Sequence, residues 1–127
     1  MAFGTVAFDT LQTSDSKKTG TNKTLDTSFV YNGSAKVWHT GAADGASAED
    51  SFNMSSLTDT ATGKQTININ SDMSNNDYSA MATCNNNTLI CSRVSSKATG
   101  SYASTMTTPG NTDTDVRNST TVHGDLA

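Results

Sequence analysis

The sequence predicts an all-β fold: a small antiparallel β-sandwich-like domain preceded by an extended N-terminal arm. Three observations lead there. Apolar residues recur at every second position in several short runs, the spacing of a strand with one buried face. Thr occurs 22 times, Ser 17 times and Asn 12 times in 127 residues, a composition that suits strands and turns. Glu occurs once, at Glu49, and Leu only five times, which argues against a helical bundle.

Taken in order, residues 1–35 read as the arm. Phe3, Val6 and Phe8 form its one dense apolar group, and Leu11, Leu25, Phe29 and Val30 are scattered. The stretch Thr13 to Thr24 is polar and without period, so one or two short strands are expected in the arm. Residues 36–127 read as the β-rich domain. Trp38, the single Trp, anchors its start, and Thr40 to Asp50 holds too many small residues to be strand throughout. Phe52 and Met54 alternate in SFNMSSL, and Ile67 and Ile69 alternate in TININ. With Gly63 between them, the two runs predict a hairpin. Tyr78, Ala80, Ala82 and Cys84 share one face, with Met81 opposite, and Asn85 to Asn87 form a turn. Leu89 to Val94 is the next strand. Tyr102, Ser104 and Met106 share a face of the following one, which Pro109-Gly110 ends. Val116, Asn118, Thr120 and Val122 mark the last.

The same counts exclude several classes. No apolar run approaches the ~18 residues of a transmembrane helix, so no membrane insertion is expected. Residues 1–12 have no basic start or apolar stretch, so no signal peptide is expected. Eight basic residues against twelve acidic ones offer no cationic surface to nucleic acid. Leu, Ile, Val and Phe supply only about 14% of the chain. So few core residues predict a protein that leans on partner chains.

Few residues carry chemistry. Cys84 and Cys91 flank the Asn turn on consecutive predicted strands. They could face each other as a disulfide or sit as two small buried hydrophobes, and the second reading is favoured. His39 and His123 are far apart in sequence. No GxSxG elbow, HExxH or glycine-rich phosphate loop accompanies them, so no catalytic residue, cofactor or metal site is expected. Asp72, Asp77, Asp113 and Asp115 lie among Asn and Thr and read as turn formers before calcium ligands. Five Asn-x-Ser/Thr triplets, starting at Asn22, Asn32, Asn53, Asn86 and Asn118, are expected by chance at this composition. Of the aromatic residues Phe52, Tyr78, Tyr102 and Trp38, most should be needed in the core. Trp38 and Tyr102 are the candidates for stacking on a glycan.

From Trp38 onward the chain resembles a domain of fibre proteins from marine bacteriophages that infect cyanobacteria and Pelagibacter-type hosts. The resemblance rests on Trp38, Ser51-Phe52-Asn53, Ser56-Leu57-Thr58-Asp59, Thr62-Gly63, the alternating Thr66 to Asn70, and Asp72-Met73 to Tyr78. The opening FGTVAFDTLQTSDS is similar to a short segment of such fibres. The chain departs after Trp38, where HTGAADGA replaces a second aromatic. The resemblance implies a non-enzymatic virion structural protein, a homotrimer made in the host cytoplasm and displayed on the tail or capsid surface. Its arm would dock on other virion proteins through Phe3, Val6, Phe8 and Leu11, and its β domain would serve host adsorption, with a host-surface glycan as a further partner. Capsid decoration is the alternative within this class, and a carbohydrate-binding module without a virion role is the alternative outside it.

Overall fold

The computed structural model describes residues 10–12, 24–84 and 91–127. The chain divides into two compact units, Met1–Ser34 and Ala35–Ala127. In the first, β1 (Thr10–Gln12) pairs antiparallel with β2 (Thr24–Asp26), Leu11 opposite Leu25. The helix α1 (Thr27–Gly33) follows. This corrects the expected extended conformation over 27–33. Asp26 stands where an N-cap residue belongs and Gly33 ends the helix, two residue types that favour helix boundaries. The helix buries no residue of its own, and Phe29, Val30 and Tyr31 are exposed.

The second unit is a sandwich of two antiparallel four-stranded sheets. The strands are β3 (Val37–Gly41), β4 (Ala48–Phe52), β5 (Met54–Ala61), β6 (Lys64–Ile69), β7 (Ser79–Cys84), β8 (Cys91–Ala98), β9 (Ser101–Thr107) and β10 (Asn118–His123). One sheet runs β4-β3-β10-β7, the other β5-β6-β9-β8. Three hairpins, β3–β4, β5–β6 and β8–β9, each stay within a sheet. The last strand closes the first sheet by entering between β3 and β7.

Alternation along each strand decides what faces inward. Ile67 and Ile69 are buried while Thr66 and Asn68 lie on the other face of β6. Val116, Asn118, Thr120 and Val122 are buried in one phase. The apolar core is Val37, Ile67, Ile69, Met73, Tyr78, Tyr102 and Val122, with Met54, Ala80, Val94 and Leu126 packed against it. Fully burying one such aliphatic side chain contributes about 1.5–3 kcal/mol. Tyr78 meets Tyr102 edge to face at 6.5 Å, and its hydroxyl donates to the carbonyls of Ala98 and Ser101. The Lys97 ammonium lies 5.2 Å from the Tyr78 ring and donates to the Tyr78 carbonyl at 2.8 Å.

Two sequence expectations need correction here. Phe52 and Met54 do not share a strand. Asn53 adopts φ 54°, a left-handed conformation that Asn tolerates, and breaks the run. Phe52 therefore ends β4 in one sheet, while Met54 opens β5 in the other. The side chain of Asn53 holds this corner, donating to the Lys36 carbonyl at 3.0 Å and accepting from the Ser71 amide at 2.8 Å. Likewise β7 and β8 are not a hairpin. β7 bonds to β10 and β8 to β9, in opposite sheets. The strand expected from Leu89 to Val94 continues to Ala98; Leu89, Ile90 and the turn at Asn85 to Asn87 lie outside the described residues.

Candidate functional site

The two faces of β3 carry the residues of interest. Trp38 points out of the sandwich, half-buried, opposite Phe52 of β4 and Thr121 of β10. Thr121 in turn lies opposite Met81 of β7. These four side chains form one row across the outer face of the sheet. Phe52 is 53% exposed and Met81 62%, so the row ends in two apolar groups that solvent reaches. Around it stand hydroxyls. Thr40 and Ser119 join in a hydrogen bond at 3.4 Å, and Asp50 is opposite Thr40. An aromatic ring beside hydroxyls and a carboxylate is a surface that apolar faces of a ligand can stack on while its polar groups are satisfied.

Tyr102 is not part of that surface. It is fully buried, and its hydroxyl shares a 2.5 Å hydrogen bond with Thr120 Oγ1. Burial raises its pKa to about 12. The expectation of a glycan contact at Tyr102 is therefore overturned. Its phase in β9 puts it inward with Ser104 and Met106, where a large ring was needed to fill the space between the sheets.

On the inner face of β3, His39 is 1% exposed, and its Nδ1 lies 2.7 Å from Thr120 Oγ1. Around it sit Gln65 of β6, Ser104 of β9 and Asn118 of β10, all buried. The Gln65 amide nitrogen donates to the Gly45 carbonyl at 2.7 Å, and that of Asn118 to Ser104 Oγ at 3.1 Å. Gly41 makes room for this cluster, because a Cβ there would come 2.3 Å from Asn118 Oδ1. Burial holds the His39 pKa below the ordinary histidine value, although the side-chain oxygens of Gln65 and Asn118, which favour a protonated ring, pull the other way. The sandwich thus has an apolar end and a polar end. His123, by contrast, sits on the opposite face of its strand, so the structure does not bring the two histidines together.

Several loop carboxylates and amides are engaged in turns and an ion pair. Asp113 pairs with Lys64 at 2.8 Å and accepts from Thr107; the hydrogen bond from Lys64 is the main reason its carboxyl stays below the usual range. Asp115 accepts from the Gly63 amide at 2.6 Å. Asp44 accepts from the amides of Ala46 and Ser47, and Asn75 from that of Asp77, as turn-forming side chains do. Among the described residues no group of three or more His, Cys, Asp or Glu side chains could hold a metal ion, and no helix is long and apolar enough to cross a membrane. Cys84 ends the inward face of β7; the side chain of Cys91, and with it the disulfide expectation, lies outside the described residues, as do Phe3, Val6, Phe8 and the side chain of Leu11.

The sequence reading missed the exposure of Phe52 and α1, and it missed the buried polar cluster. The cluster had a signal: Gln65, Ser104, Asn118 and Thr120 occupy inward phases of runs whose other inward members are apolar. The chain matches no family model, no curated protein and no solved structure.

Proposed function

We propose that this chain is a fibre-like bacteriophage virion structural protein, a homotrimer that docks on the particle through residues 1–35 and presents residues 36–127 outward for host adsorption. One observation supports this reading above the others. The run from Trp38 to Tyr78, on which the fibre resemblance rests, spans β3–β6 of a two-sheet sandwich with an exposed apolar row on its outer face. Such a row on a chain so poor in large apolar residues is suited to contact with another surface. Deleting residues 2–12 is expected to abolish incorporation into particles, as scored by immunoblot of purified virions. Normal incorporation of the truncated chain would overturn the docking role. Light scattering of the intact protein should give three times the monomer mass, and a stable monomer would remove the trimer from the proposal. Head decoration differs from a tail fibre by copy number: a few trimers per particle mean adsorption, whereas copies across the capsid mean reinforcement.

A carbohydrate-binding role is the second reading, and the pairing of half-buried Trp38 with exposed Phe52 favours it. It predicts saturable binding on a glycan array that Trp38→Ala reduces at least tenfold, about 1.4 kcal/mol. An array without signal for the unmodified chain rejects it.

A further inference from the structure

Three buried atoms at the polar end lack a partner in hydrogen-bond geometry: His39 Nε2, Gln65 Oε1 and Asn118 Oδ1. Both amides act on the imidazole. Their nitrogens are committed elsewhere, to the Gly45 carbonyl and to Ser104 Oγ, so each turns an oxygen to the remaining space. Two acceptors require a donor, which places the ring proton on Nε2. Nδ1 then carries a lone pair, and the Thr120 hydroxyl donates to it. The oxygen of Thr120 is left to accept from Tyr102. The hydrogen bonds from Tyr102 through Thr120 to His39 then run in one consistent direction, with the Nε2 proton left on the side of the two amide oxygens.

A proton added at Nδ1 breaks that direction. Two donors would meet between His39 and Thr120. Thr120 would have to turn and accept from His39, and either its own proton or that of Tyr102 would lose its acceptor. The added charge would also have no counter-ion. Asp115 is committed to the Gly63 amide, Asp44 to its own turn, and Asp50 to the Ser51 amide. Glu49 pairs with Arg117, and Lys64 with Asp113. Arg93 is outside the influences on His39, which are burial and the two amides alone. Tyr102 and Tyr78 stay protonated, their pKa values raised by burial.

We propose that His39 is an acid-sensitive latch: its neutral, Nε2-protonated ring holds the polar end of the sandwich shut, and protonation loosens β3, β6 and β10 there. The sign follows from linkage. The opened state titrates near the ordinary histidine value of about 6.5 and the closed state below it, so below about pH 6.5 the opened state binds more protons. The latch is at full strength above that pH. It weakens as pH falls toward the lowered value of the closed state, and the opened fraction rises by up to about tenfold per pH unit in that window.

The test uses the intact, isotope-labelled chain between roughly pH 8 and pH 5. Long-range proton–nitrogen correlation spectra should show the Nε2-protonated tautomer for His39 at neutral pH and a titration below the ordinary value. Amide protection in Val37–Gly41 and Asn118–His123, corrected for intrinsic exchange, should fall by up to about tenfold per unit below pH 6.5. His123→Gln should keep this dependence, whereas His39→Gln should flatten it. An Nδ1-protonated ring, an ordinary titration, or protection independent of pH in the unmodified chain would overturn the proposal. Should His39→Gln fail to fold, the tautomer and the titration of the unmodified chain decide alone.

Discussion

Tyr102→Ala is expected to lower the unfolding free energy by about 3–5 kcal/mol, a large share of the 5–15 kcal/mol available to a domain. The ring is completely buried between the sheets, opposite Ile67 in the ladder and edge to face with Tyr78. Removing it leaves a cavity that two hydrogen-bonded sheets cannot close without breaking their ladders. It also takes the hydroxyl from Thr120, so the polar chain to His39 loses its first donor. Tyr102→Phe separates these effects. It keeps the packing and removes one buried hydrogen bond, at a cost of about 1–2 kcal/mol. Denaturant titration of both variants checks the ranking. A cost near 1 kcal/mol for the alanine variant would mean that the ring does not organise the core. A cost for the phenylalanine variant as large as that for alanine would shift the weight from packing to the hydroxyl.

How far the fold was legible can be judged from single residues. Ile67 and Ile69 alternate with Thr66 and Asn68, and that period of two was enough to assign β6 and its buried face. The hairpin followed because a glycine stood between two such runs. Phe52 and Met54 show the limit. They too are two apart, but one strand ends and another begins between them, because Asn53 turns through a left-handed φ. Local alternation carries no mark of such a corner, and Asn also stands inside strands of this chain, at Asn68 and Asn118. The pairing of β7 with β10, and not with β8, is long-range and invisible to any local pattern. The site was legible in part. Trp38, a glycan candidate by sequence, stands half-buried on the outer face of β3. Tyr102 was singled out for its ring, although its phase with Ser104 and Met106 pointed inward. Nothing local marks the surroundings of His39: Gln65, Asn118 and Thr120 come from two other strands, and only tertiary pairing brings them to it.

Gly63→Ala tests the hairpin on which this register depends, with an expected loss of about 2–4 kcal/mol. Two costs combine. Gly63 has φ 68°, where an alanine Cβ crowds the following carbonyl at roughly 1–2 kcal/mol. The new Cβ would also lie 2.5 Å from the Thr114 nitrogen and 2.7 Å from the Met106 carbonyl oxygen. Both are backbone atoms that cannot rotate aside. They belong to a junction in which the Gly63 amide donates to Asp115, the Met106 amide to the Gly63 carbonyl, and the Thr114 amide to the Met106 carbonyl. Moving the turn to relieve the clash would therefore strain three hydrogen bonds and the end of β9. Gly110→Ala is the comparison. Its Cβ would meet only Thr108 Oγ1 at 3.9 Å, and its φ is not in the left-handed region, so a change within about 0.5 kcal/mol is expected. Thermal unfolding of the two variants in parallel should separate them by roughly 10 °C or more, given about 4–8 °C per kcal/mol for a domain of this size. Equal melting temperatures would show that the Thr62-Gly63 turn is not held against β9, and would remove the reason for a glycine there.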